Sequence, residues 1–249
     1  MKGRMLLEII AFSLGVIVFS KLLPTLSEEE VMQEETELMF GEAIDQEIRN
    51  HLTVEEDATM NLAVQTVGKR LADVCDRKGL VFKYVLLKDE RINAFSGPGG
   101  YIYITRGLLK FVENQDELAG IIGHEIAHVC LRHAVKRLRD SNASLDSKEK
   151  LDELARFIVF QKYTAECEQE ADKLGVIYTR KAGFDPNGLA NFFERLYASQ
   201  PRIISRGLFE RFLQATIIGP ERVKSIREYI SQMETSERSE TREKVRQKD

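Results

Sequence analysis

Residues 123–133, Gly-His-Glu-Ile-Ala-His-Val-Cys-Leu-Arg-His, gather three of the chain's four histidines onto an otherwise largely apolar stretch. On an α-helix, positions i and i+4 lie one above the other on a single face. His124 and His128 therefore direct two imidazoles at one point. Glu125 stands one step, about 100°, around the helix: too far to share that point, close enough to reach a water there. Gly123, Ile126, Ala127 and Val129 mark the helix as buried, and burying polar groups unpaired is costly. A surface helix with spare histidines would not be apolar here. The H-E-x-x-H spacing is that of two zinc ligands and a general base. Any fold of this chain has to bury this helix and bring a further ligand to it.

His133 does not supply that ligand. It lies about 140° round from His128 and on the opposite side from His124. Leu131 and Ala134 also stand where an extended three-histidine motif needs Gly and His. His133 is expected to be a neighbour of the site. The segment Tyr163–Gly175 offers Glu166, Glu168 and Glu170. Its apolar stripe runs through Cys167, Ala171, Leu174 and Tyr178. Glu168, Asp172 and Gly175 line one flank of that stripe, Glu166 points outward, and Glu170 takes the other flank. Glu168 is thus the expected third ligand. Asp172, one turn on, can accept the free ring N–H of a ligand histidine and fix its tautomer. Gly175 would let two helices approach closely. A charged helix with solvated acids is the competing reading.

Elsewhere the pattern is mainly helical with a small β element. Residues 31–50 are acidic and helical and link the N-terminal segment to the body. Thr53 is a plausible N-cap, with Glu56 three residues on, for a helix through Leu62, Val67, Leu71 and Val74 that ends at Gly79. Residues 82–87 read as a strand. Residues 92–109 hold two short strands around a Gly-Pro-Gly-Gly turn, and Val85, Ile102 and Ile104 face the core. One helix is predicted from Asp116 to Arg139 and another from Leu151 to Ala182, with a polar loop over 140–150. Further helices cover Asn187–Ser199 and Pro220–Met233. The tail, 234–249, has almost no apolar residue and is expected to be disordered. The fold class is α+β, mainly α, and the domains are 1–30, 31–233 and the tail.

Lys2 and Arg4 precede an apolar run, Met5–Leu23, broken only by Glu8 and Lys21, and an acidic cluster follows at 28–30. The run is about long enough to cross a bilayer as a helix. It reads as an uncleaved membrane anchor with the body extracytoplasmic; a cleaved signal segment and a buried helix are the alternatives. The net charge of −4, with basic residues scattered among acids, argues against a nucleic-acid partner. Cys75, Cys130 and Cys167 are too few for a disulfide framework and read as small core residues, a Cys130–Cys167 bridge being left open.

The HEIAHVCLRH stretch together with the E-x-E-A-D-x-x-G pattern of 166–175 resembles the zinc metallopeptidases of the CAAX-prenyl-protease and HtpX family. The chain is most similar to the single-anchor, extracytoplasmic BepA-like and Oma-like branch. Residues 92–109 resemble that family's NAF-x-x-PGG block. The resemblance implies a gluzincin fold with a small β-sheet beside the HExxH helix. One Zn2+ per chain would be held by His124, His128 and Glu168, with Glu125 as base and Asp172 behind a ligand histidine. A substrate-binding strand would run through Asn93, Ala94 and Phe95. The implied partners are unfolded or misassembled proteins and, through the N-terminal segment, a membrane (in bacteria, on the periplasmic side). A Thr-His-Pro element frequent in relatives finds its best match in residues 217–223, where Gly219 replaces the histidine. That departure leaves the family's lid in doubt. Tyr163, Arg202 and Arg206 are the only guesses for an oxyanion-stabilising group. The competing function is a non-proteolytic, chaperone-like zinc protein or a latent enzyme opened by a partner.

Overall fold

A computed structural model describes residues 28–140, 148–160, 163–203 and 219–246. The β-rich segments build one small sheet of β1 (Lys83–Leu87), β2 (Ala94–Ser96) and β3 (Tyr101–Thr105), in the order β1-β3-β2. β3 runs parallel to β1, with Val85 opposite Tyr103, and antiparallel to β2, with Phe95 opposite Tyr103. It is buried along its whole length, as a central strand covered on both faces has to be. Ile102 and Ile104 enter the main core with Leu86, Ile122 and Ile126, whereas Val85, Tyr101 and Tyr103 enter a second cluster with Ile44, Ile48, Leu154 and Ile158. The three expected core positions are thus buried, but on opposite faces of the sheet. Between β2 and β3, Gly99 and Gly100 turn the chain at φ 70° and 83°, a region that only glycine enters freely.

Helix α1 (Glu28–His51) is part of the body rather than a spacer. Ile44 and Ile48 are buried, and the buried Glu37 carboxylate accepts from Arg77 Nη1 (2.7 Å) and the Gly99 backbone N–H (3.2 Å). Helix α2 (Ala58–Val74) starts later than Thr53. Its N-cap is Asp57, whose carboxylate accepts from the Met60 N–H at 2.8 Å. The preceding residues instead extend along β1, with Val54 bridged to Leu87 and Glu55 N donating to Leu86 O at 2.8 Å. Pairing with the sheet outcompetes an earlier helix start.

Helix α3 (Arg106–Phe111) leads to α4 (Gln115–Cys130), capped by Asn114, whose side chain accepts from Glu117 N at 2.9 Å. The long helix predicted to Arg139 is broken. Arg132 adopts φ 55°, and α5 (His133–Asp140) sets off afresh. The predicted 151–182 helix is likewise two, α6 (Lys148–Phe160) and α7 (Ala165–Lys181), the latter capped by the Thr164 hydroxyl on Cys167 N. Helix α8 spans Gly188–Ile203. Helix α9 (Pro220–Arg246) continues through most of the stretch expected to be disordered, and Arg180 pairs there with Glu234 and Glu237.

The buried helix α4 packs on α2, α7, α8 and β2. It meets α7 glycine to glycine. A Cβ on Gly175 would lie 2.8 Å from His124 N, and one on Gly123 would lie 3.1 Å from Gly175 O. All three cysteines are free, and the Cys130 thiol faces that of Cys75. The run Met5–Leu23, residues 141–147, and residues 204–218, including Arg206, lie outside the described residues. Among the described residues no helix is long and apolar enough to cross a membrane.

Candidate active site

The i, i+4 spacing on α4 does what helix geometry dictates. His124 Nε2 and His128 Nε2 lie 3.0 Å apart. From α7, Glu168 brings Oε2 to 3.5 Å from His124 Nε2 and Oε1 to 3.7 Å from His128 Nε2. The three ligand atoms all lie within 4.8 Å of one another. Glu168 Oε2 is buried without a hydrogen bond of good geometry. Two imidazole nitrogens and a carboxylate converging on one point are the donor set and spacing of a catalytic zinc site. The glycine contact between α4 and α7 allows that approach.

The outer nitrogens of the two histidines are also engaged. His124 Nδ1 lies 2.9 Å from Asp172 Oδ1, though off the line of an ideal hydrogen bond. His128 Nδ1 lies 2.8 Å from His133 Nδ1, and His133 Nε2 lies 3.2 Å from Glu170 Oε2. One proton pattern satisfies the whole set: Nδ1–H on both His124 and His128, and Nε2–H on His133 donating to Glu170. Both Nε2 lone pairs then point inward. Burial, with the neighbouring histidines adding to it, pushes the His128 pKa well down. Burial opposes charge on His124 too, but Asp172 and Glu168 outweigh it and raise that pKa. Tyr163 stacks on the His128 ring with centroids 4.2 Å apart.

Glu125 is buried beside this cluster, and Ser96 Oγ of β2 donates to its Oε2 at 2.9 Å. Burial raises the Glu125 pKa, against the pull of His124 and of the Ser96 hydrogen bond. Asn93, Ala94 and Phe95 lead into Ser96 along an edge strand against α4.

Two participants escaped sequence reasoning. Ser96 sits in a segment singled out for its strands, its turn and the substrate-binding Asn93, Ala94 and Phe95, but Ser96 itself was given no role. Arg222, on the first turn of α9, donates from Nη2 to Asp172 Oδ1 (2.7 Å) and from Nε to Asp172 Oδ2 (2.7 Å), and its Nη2 forms an ion pair with Glu168 Oε2 at 2.8 Å. It lies within the 217–223 segment that drew notice for Gly219 alone. A buried cation opposite two buried acids was the signal available. Arg202 lies in α8.

A model of Peptidase family M48 matches residues 58–228, well over half of the chain. A Vibrio cholerae protein named as a beta-barrel assembly-enhancing protease is 30% identical over 193 residues, 66% of this chain and 40% of the relative. The mitochondrial metalloendopeptidase OMA1 of Schizosaccharomyces pombe is 28% identical over 180 residues, covering 68% and 52% of the two chains. The metalloprotease YcaL of Escherichia coli K12 is 27% identical over 184 residues, covering 66% and 70%. The match thus spans about two fifths of the length of the first of these relatives. With a mainly helical fold around a small sheet, the chain belongs to Peptidase family M48, a family of zinc metalloproteases.

Proposed function

We propose that this chain is an endopeptidase that cuts unfolded or misassembled proteins at a membrane, using one Zn2+ held by His124, His128 and Glu168. The observation that carries this reading is the convergence of those three ligand atoms beside the buried Glu125 carboxylate. Glu168 Oε2 has the Arg222 ion pair but no hydrogen bond of good geometry, which leaves it able to take a metal as well. When bound there, zinc supplies a Lewis acid for the scissile carbonyl and lowers the pKa of water towards about 7. Glu125, its basicity raised by burial, takes the proton from the attacking water and delivers it to the leaving amine. Ser96 holds the carboxylate in line for both transfers. Asp172 and the His133–Glu170 pair hold the ligand histidines in one tautomer. Arg222 offsets the charge of the two acids on α7.

Substrate would add as an extended strand beside Asn93, Ala94 and Phe95, since β2 is an edge of the sheet. Backbone pairing reads little sequence, which suits unfolded clients. The name of the Vibrio relative, tied to β-barrel assembly, supports membrane proteins as the client class. The run Met5–Leu23 would hold the domain at the membrane on its extracytoplasmic side.

Cleavage of unfolded casein by the wild-type protein and by Glu125→Gln, with zinc quantified in both, tests the reading. Cleavage by the wild type and none by a zinc-retaining variant is expected. If both hold zinc and neither cuts, the chaperone-like or latent reading takes over.

A further inference from the structure

We infer that the chain carries a second divalent-cation site, built from Glu47 and His51 of α1 and Asp152 of α6 and suited to zinc. Glu47 and His51 stand at i and i+4, the spacing that joins His124 to His128. Their Oε1 and Nε2 atoms lie 3.0 Å apart. Asp152 approaches from the facing helix and brings Oδ1 to 2.7 Å from the same Nε2. All three ligand atoms lie within 4.8 Å of one another.

Hydrogen bonding alone does not account for this arrangement. A neutral imidazole nitrogen carries at most one proton, yet two carboxylate oxygens press on His51 Nε2. One of them goes without: Asp152 Oδ1 is buried and has no hydrogen bond. Glu168 Oε2 in the candidate active site is likewise buried, aimed at a histidine nitrogen and without a hydrogen bond of good geometry, although there Arg222 also stands 2.8 Å away as an ion pair. The outer oxygens are already occupied, Glu47 Oε2 by Asn50 (3.2 Å) and Asp152 Oδ2 by Arg156. Those contacts orient Glu47 Oε1 and Asp152 Oδ1 inward towards His51, as partners behind metal ligands do. Glu47 is almost fully buried while the His51 ring is 55% exposed, so the point of convergence is open on one side, where water would complete the shell. One imidazole and two carboxylates suit zinc better than calcium or magnesium, which take oxygen ligands.

Such an ion would fasten α6 to α1. Leu154, Ala155 and Ile158 of α6 pack with Ile44 and Ile48 of α1 and with Phe95 of β2, and Ser96 of β2 holds Glu125. The ion would therefore brace, from outside, the strand that flanks the candidate active site, without touching that site itself.

The test is zinc stoichiometry on the full chain in mild detergent after dialysis. His51 is exposed and Asp152 lies near the surface, so His51→Ala and Asp152→Asn are compatible with folding, which circular dichroism checks. Two zinc per chain are expected in the wild type, one in either variant, and one in the His124→Ala/His128→Ala double variant. Zinc is further expected to raise the unfolding temperature of that double variant, and to leave it unchanged once His51→Ala is added. The proposal is overturned if His51→Ala and Asp152→Asn hold as much zinc as the wild type. It is overturned equally if the His124→Ala/His128→Ala protein neither binds zinc nor is stabilised by it. The peptidase reading stands or falls separately, on the zinc held by the His51→Ala protein.

Discussion

Arg222 grips Asp172 with two hydrogen bonds of 2.7 Å, Nε to Oδ2 and Nη2 to Oδ1, and its Nη2 also reaches Glu168 at 2.8 Å. Helix α9 therefore supplies the cation for Glu168 and Asp172, the two acids that α7 sends to His124 and His128. Removing one member of a buried charge cluster costs about 3–5 kcal/mol because the partners stay buried and uncompensated. Arg222→Ala is expected to lose about that much stability in the metal-free protein. Zinc bound at Glu168 as proposed would bring positive charge there and is expected to restore part of that stability. Denaturant midpoints with and without zinc check this: the gain on adding zinc should be larger in the variant than in the wild type.

Asp172 gives the metal-free fold an acid sensitivity. Burial pushes its carboxyl up, but the Arg222 charge and the hydrogen bonds from His124 and Arg222 outweigh burial and leave its pKa at about 2. The unfolded chain takes up that proton near about 3.9. A depressed acid contributes its stability above the unfolded value and loses it as pH falls through the folded one. The gap is worth about 2–3 kcal/mol. Urea midpoints between about pH 5 and 2 should fall for the wild type and fall less steeply for Asp172→Asn. The same variant is expected to bind zinc about 10–100-fold more weakly.

Gly175→Ala tests the helix crossing. The added methyl would meet the backbone at His124 N, 2.8 Å away, and backbone has no rotamer with which to yield. Overpacking of this kind costs about 1–3 kcal/mol. It would also shift α7 against α4, so zinc affinity should fall with the melting temperature. A variant that keeps wild-type zinc affinity would contradict the crossing.

Ser96→Ala removes the only side-chain hydrogen bond to Glu125 among the described residues. A loose general base costs rate rather than substrate binding. The expected result is a kcat lower by about 10-fold, an unchanged zinc content and a near-constant KM. A change confined to KM would place Ser96 on the substrate instead.

Cys75 caps the end of α2 and Cys130 ends α4, and their thiols face each other. Diamide treatment followed by peptide mass spectrometry should link Cys75 to Cys130 and leave Cys167 a free thiol.

Much of the arrangement was legible because it is local. Periodicity on one helix suffices to align His124 with His128, and on another to set Glu168, Asp172 and Gly175 along one flank. What was hidden depends on partners distant in sequence or on a single dihedral. The break after Cys130 rests on the positive φ of Arg132, a residue type that gives no warning of it. Thr53 lost its cap role to a sheet edge that only the folded chain possesses. The helical tail runs to Arg246 through residues whose composition favours solvent, yet Arg180 ties it to α7. Arg222 reaches its acids across a separation of fifty residues, which no helical period registers.

The placement of Arg222 so far along the chain also orders events in time. Domains fold as they are synthesised, amino-terminal parts first. Glu168 and Asp172 are made well before the cation that balances them, so a nascent chain carries two uncompensated acids at this centre until residue 222 has been added. A protease assembled in that order is at its least competent while its own chain is still emerging beside it.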